Sequence, residues 1–290
     1  KAGQKVDDFA PGISWIFTAG LDFFGEVAKF RAARRLWARI MKERYGASVP
    51  KAQMLRVHVH TAGSVLTAQQ PLNNVVRITW QALSAVLGGI QSMACCAYDE
   101  AIALPTEESA TLALRTQQLL AYESGVTDTI DPLAGSYYIE TLTDKIEKEA
   151  YDYIDKIDRM GGAVAAIEQG YMQQEMAAHA YEYQHEVELG KRTVIGVNKF
   201  NDSKKLAEQD VLTADLSVGE RQIARLEKMK AARDNEAVKA ALEKLREAAK
   251  GTENLMPYLI DAVKTYATLG EICGVLREEF GEYKQSGSMF

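Results

Sequence analysis

Three short apolar runs constrain the fold of this chain more than anything else in it. They are "GISWIFTAG" at 12–20, "MLRVHVH" at 54–60 and "IQSMACCA" at 90–97. Each has strand length, and a helical pattern separates each from the next. In "GEVAKFRAARRLWARIMKERYG" (25–46), Val27, Phe30, Ala33, Leu36, Trp37, Ile40 and Met41 recur at helical spacing, and Gly46 suits a stop. "PLNNVVRITWQALSAVLGG" (71–89) opens on Pro71 and closes on Gly88-Gly89. Strand and helix alternating every ~35–45 residues predict βαβ crossovers, and so a parallel sheet in an α/β fold. Three such units do not close a barrel and make a poor open sheet, so either the fold is unusual or further strands belong to sequence outside this chain.

Two more helices are predicted, over 107–124 and from about 143 to 160. From there to the end the pattern is almost wholly helical, interrupted by the apolar piece "RTVIGVNKF" at 192–200. The change of character predicts a division into 1–142 and 143–290. The mixed charges over 220–250 read as a solvated helix face.

Composition removes several function classes. A net charge of −6 argues against a nucleic-acid binder that works through a bulk positive field. No apolar run reaches the length of a membrane span. Cys95, Cys96 and Cys273 form no CxxC pair, so neither a disulfide framework nor a structural zinc site is expected, and a cytoplasmic location is. The opening "KAGQKVDDF" lacks the layout of a signal peptide. There is no GxGxxG after a strand, no GxxxxGK[ST], no HExxH and no GxSxG, which removes the commonest nucleotide, metalloprotease and hydrolase readings.

The polar residues on the strands are the candidate site. Side chains alternate along a strand, so His58 and His60 share one face. Such a pair reads as half a metal site, as hydrogen-bonded core histidines, or as the lining of a polar cavity. The inward positions of a parallel barrel are normally bulky and aliphatic, so imidazoles there would make a polar lumen, with Ser14 and Gln91 as further lining candidates. Cys95 and Cys96 have no cationic neighbour in sequence and read as small buried residues rather than reactive thiols. Asp99 and Glu100 follow the third strand, on the side where parallel sheets carry their function. Glu100 is therefore either a ligand contact or a helix cap.

Several segments in fixed order carry a resemblance. "LTAQQPLNNVVRITWQALSAVLGGIQS" is followed by "DEAIALPT", "DPLAGSYYIETLT", "MGG" and "VIGVNKF". Together they resemble the large chain of the methylmalonyl-CoA mutase family, the coenzyme-B12-dependent acyl-CoA mutases, and the match runs from "FAPGISWIF" to "LREEFGEY". The resemblance implies a (β/α)8 barrel with acyl-CoA threaded along its axis, then a helical region. It implies adenosylcobalamin held mainly by a separate domain bearing DxHxxG, a motif this chain lacks, and a radical rearrangement of the acyl skeleton. On that alignment the chain supplies the last three barrel strands, about three βα units. Another chain or segment supplies the first strands, and a small subunit binds the cobalamin. The end "GEYKQSGSMF" resembles a large-subunit terminus.

Residue by residue, the resemblance implies CoA contacts at Ser14 and Lys51 and an active-cavity role for His58. It places Gln91 of "GGIQS" against the acyl-CoA and Glu100 of "DEA" near the adenosyl ribose. Gly12 stands where the family commonly has arginine, Ile16 where it has an aromatic, and His60 where it has glutamine, a substrate-facing position. Ala94, Cys95 and Cys96 stand where His, Thr and Asn normally face the cofactor. The implied function is an acyl-CoA mutase of the methylmalonyl-CoA/succinyl-CoA type. Alternatives are a mutase for an isobutyryl-, 2-hydroxyisobutyryl- or aromatic-type acyl-CoA, or a non-catalytic subunit that completes a partner's barrel.

Overall fold

The structure, a computed structural model, describes residues 3–201, 212–213 and 215–284. The last six residues of the terminal segment, 285–290, lie outside the described residues. Helix α1 (Val6–Phe9) leads into strand β1 (Trp15–Ala19), then helix α2 (Phe23–Arg39), which continues as a π-helical turn over Ile40–Arg44. Helix α3 (Pro50–Gln53) precedes β2 (Val57–Thr61), helix α4 (Asn73–Leu87) follows, and β3 spans Ser92–Ala94. Helices α5 (Glu107–Tyr122), α6 (Tyr137–Arg159), α7 (Ala163–Glu168) and α8 (Tyr171–Glu188) come next. The last four are α9 (Ser217–Ala232), α10 (Asn235–Ala249), α11 (Met256–Lys264) and α12 (Leu269–Phe280).

The three strands form one parallel sheet in the order β1-β2-β3. Ile16 pairs with His58 and Thr18 with His60 across the first ladder; His58 pairs with Ser92 and His60 with Ala94 across the second. Alternation sends Phe17, Ala19, Val57, Val59 and Met93 to one face, where they pack with Phe30, Ala33 and Trp37 of α2 and Ala85 of α4. Burying each large apolar side chain there contributes about 1.5–3 kcal/mol. The other face points away from these helices. Ser14, Ile16, Thr18, His60 and Ser92 on it are exposed, Ile16 to 76%, and His58 and Ala94 are half-buried. A parallel sheet is normally covered on both faces, so this open one is unusual.

Helix α6 runs alongside α2, joined by a ladder of charges in rising order. Arg31 donates to Asp131 (2.8 Å) and Glu140 (2.8 Å), Arg35 pairs with Asp144 (2.6 Å) and Glu147, Arg39 with Glu147 (2.8 Å), and Arg44 with Asp158 (2.7 Å). Matching partners that ascend together make the two helices parallel. The compact units are residues 1–212 and 213–290. The expected boundary at 142/143 therefore falls inside the continuous α6, because the long-range packing of that helix on α2 outweighs the change in local sequence pattern. The second unit has its own core of Leu245, Ala262, Ile272 and Val275, drawn from α10, α11 and α12.

Candidate functional site

The polar candidates lie along the strands in three groups. At the N-terminal end of the sheet, Ser14 sits just before β1 and Lys51 on α3, both exposed. Gln91 sits there too, one residue before β3. In the middle of the open face are His58 and His60. At the C-terminal end are Cys95, Cys96 and Glu100. At ~3.3 Å per residue, the five or so positions from one end to the other span about 17 Å. The arrangement suits a long, thin ligand lying parallel to the strands.

His58 is held in place. Its Nδ1 lies 2.8 Å from the Ser92 hydroxyl, across the register pair that joins β2 to β3. The His60 ring stands edge-on to it, with centroids 5.7 Å apart and planes at 69°. His60 has no hydrogen-bond partner among the described residues and is exposed, so it is not a satisfied core histidine. The metal reading of the pair has no third ligand: no cluster of three or more His, Cys, Asp or Glu suited to a metal occurs among the described residues. Among the described residues the two histidines stand on the open face of the sheet.

Gln91 bonds to the backbone on both sides of its amide. Its Oε1 accepts from the Val57 backbone N–H at 2.7 Å, and its Nε2 donates to the Gly89 carbonyl at 3.3 Å. The amide is spent on backbone and ties β2 to the start of β3. Gln91 is exposed and lies one residue before β3, whose first residue, Ser92, pairs with His58. Ser92 is the residue beside His58 on the open face.

The C-terminal end is tightly drawn together. Cys96 N–H donates to Thr61 Oγ1 (2.8 Å), and its thiol donates to the Thr61 carbonyl (3.1 Å). Gly63, in the turn after β2, lies so close that a Cβ there would meet Glu100 Cγ at 3.1 Å and Cys96 Sγ at 3.6 Å. Burial pushes the Cys95 thiol up to about 12, with the neighbouring Cys96 adding to the effect. Burial raises Cys96 as well, the Thr61 bond pulls it back, and Glu100 pushes it up again. Both cysteines are therefore protonated, compact side chains at neutral pH, not nucleophiles. Glu100 is exposed, and α5 is capped by Thr106, whose Oγ1 accepts from Ser109 N–H at 3.2 Å. That removes the helix-cap reading of Glu100 and leaves a free carboxylate at the mouth of the sheet.

Sequence reasoning missed Ser92, Thr61 and Gly63. Ser92 was within reach of strand alternation once the third strand was placed, but its pairing with His58 depends on register. Thr61 and Gly63 carry no local signal beyond the turn itself.

A sequence profile of the family described as methylmalonyl-CoA mutase matches residues 1–282. The chain is 46% identical over 287 residues to the 2-hydroxyisobutanoyl-CoA mutase large subunit of Aquincola tertiaricarbonis, covering 99% of this chain and 51% of that protein. It is 46% identical over 283 residues to the methylmalonyl-CoA mutase of Escherichia coli (97% of this chain, 39% of that one). It is 37% identical over 290 residues to the human mitochondrial methylmalonyl-CoA mutase (100% and 39%). The chain thus spans about half the length, or less, of the curated relatives it matches.

Proposed function

The chain belongs to the methylmalonyl-CoA mutase family, and from that premise we propose that it is part of the large subunit of an adenosylcobalamin-dependent acyl-CoA mutase, an isomerase that rearranges the carbon skeleton of an acyl-CoA. The observation that carries the proposal is the open face of a parallel sheet on which His58, fixed by Ser92, and His60, without a hydrogen-bond partner among the described residues, stand side by side. In this reading that face lines part of the lumen of a (β/α)8 barrel. The CoA enters at the Ser14 and Lys51 end, and the acyl group lies against the histidines. The dividing line at 142/143 then separates the barrel part from the post-barrel helices in function, though not in packing.

The remaining strands come from another chain or segment. An apolar groove of about 570 Å³, lined by Trp15, Phe17, Leu36, Trp37, Ile40 and Ile154, runs along the free edge of β1 and suits a preceding strand–helix unit. The residues at the C-terminal end fit the adenosyl side of the cofactor in part. Glu100 offers a free carboxylate to hydroxyl donors, while Cys95 and Cys96 give a compact, uncharged wall. In this reading the cobalt side is held by a separate domain or chain, the small subunit of the resemblance, that carries DxHxxG. When bound, the cofactor supplies homolytic, one-electron chemistry. The part played by this chain is to bind and orient the thioester and keep water from the reacting carbons. No helix among the described residues is long and apolar enough to cross a membrane, and we place the enzyme in the cytoplasm, without a nucleic-acid partner.

The test is to co-purify the chain with its partners, titrate the complex calorimetrically with acyl-CoA thioesters, and screen their isomerisation with added adenosylcobalamin. Micromolar CoA-thioester affinity and isomerisation of at least one acyl group are expected. An assembled complex with no affinity for CoA thioesters would sink the proposal, and binding without turnover would turn it to a non-catalytic subunit.

A further inference from the structure

The open face divides into an apolar and a polar part, and the division bears on which acyl group it takes. Ile16 stands opposite His58 and exposes most of its side chain. One step further along, Thr18, His60 and Ala94 line up across the three strands. The Thr18 hydroxyl and both His60 ring nitrogens have no hydrogen-bond partner among the described residues, whereas the Nδ1 of His58 is occupied by Ser92. Ala94 contributes only a methyl group, so the space beside His60 is not filled by a neighbour. A ligand lying along the strands meets aliphatic surface at Ile16 and then a cluster of unsatisfied donors and acceptors at Thr18 and His60. Polar groups left in that state when a lumen closes over them are costly unless the ligand satisfies them.

Resting on the mutase reading above, we propose that His60, assisted by Thr18, is a specificity-determining contact that selects acyl-CoA thioesters whose acyl group carries an oxygen function, a hydroxyl or a carboxylate, over purely hydrocarbon acyl groups of the same branching. A site built to hydrogen-bond a substrate oxygen rejects the analogue that lacks it, because its own polar groups are then left unpaired.

The test uses the complex of this chain with its co-purifying partners, in wild-type, His60→Leu and His60→Gln forms, with thermal melts to verify folding. Affinities are measured by calorimetry for 2-hydroxyisobutyryl-CoA, methylmalonyl-CoA, isobutyryl-CoA and CoA itself. The wild type is expected to bind at least one oxygenated thioester roughly 10-fold or more tighter than isobutyryl-CoA. His60→Leu removes that preference by weakening the oxygenated ligand alone, and His60→Gln, which keeps a donor and an acceptor, retains most of it. Whether the hydroxyl or the carboxylate gains the preference identifies the acyl class. A wild type without preference, a preference that survives in His60→Leu, or an equal loss for every ligand including CoA overturns the inference while leaving the mutase reading intact. No affinity for any CoA compound overturns the mutase reading, and the inference with it.

Discussion

A thiol buried as Cys95 is has little chemistry left at neutral pH. With its ionisation pushed up to about 12, only about one molecule in ten thousand carries the thiolate at pH 8. We therefore expect iodoacetamide at pH 8 to leave Cys95 unlabelled in the native protein and to label it readily in urea, as read by peptide mass spectrometry; fast native labelling would contradict the burial. The same scale shows what local sequence can and cannot tell. That His58 and His60 share a face follows from strand alternation alone. That Ser92 holds one, while the other has no hydrogen-bond partner among the described residues, follows from a register between residues 34 apart. The bonds of Gln91 to the Val57 and Gly89 backbone likewise join residues whose pairing its place in a motif does not encode.

At the scale of elements, helix and strand identity was legible, and boundaries were set by partners. The strand predicted over 90–97 pairs only at Ser92–Ala94, because a parallel ladder with β2 reaches no further. Helix α6 begins at Tyr137, earlier than its apolar periodicity suggests, because Glu140 accepts from Gly135 N–H (2.8 Å) and pairs with Arg31, pinning its first turn. The long helical stretch at 218–250 breaks in two where Asp234 accepts from the N–H groups of Glu236 and Ala237, both at 3.0 Å. Helix α12 opens on a capping box in which Thr268 and Glu271 satisfy each other's backbone N–H. Glu271 also binds Arg233 (2.8 Å), and that bond, reinforced by the two from Thr268, holds its carboxyl at about 2 against an ordinary 4.5. A carboxyl depressed on folding stabilises the native state above its unfolded pKa and loses that contribution as pH falls through the folded value. Urea unfolding of the 213–290 unit, followed by helical circular dichroism, should therefore show stability dropping between about pH 4.5 and 2. The Glu271→Gln variant should be less stable at pH 7 and flatter across that window; equal slopes would rule out this carboxylate as the source.

At the scale of the molecule, two compact units each carry their own apolar core. Residues 213–290 expressed alone are expected to give a helical spectrum and a cooperative thermal melt, since Leu245, Ala262, Ile272 and Val275 are all contributed from within that unit. A featureless, non-cooperative melt would mean that this core depends on the rest of the chain. Residues 1–212 pose the opposite case, a sheet with one covered face, one open face and a free edge beside an apolar groove. By itself the sequence determined the order of strands and helices, the shared face of the two histidines and the family, because periodicity and ordered motifs are written locally along the chain. Only the tertiary structure decided where the units divide, that Gln91 is spent on backbone, that Ser92 holds His58, and that His60 has no hydrogen-bond partner among the described residues. Each of those depends on register and packing between residues distant in sequence, and no local pattern encodes which polar atom meets which.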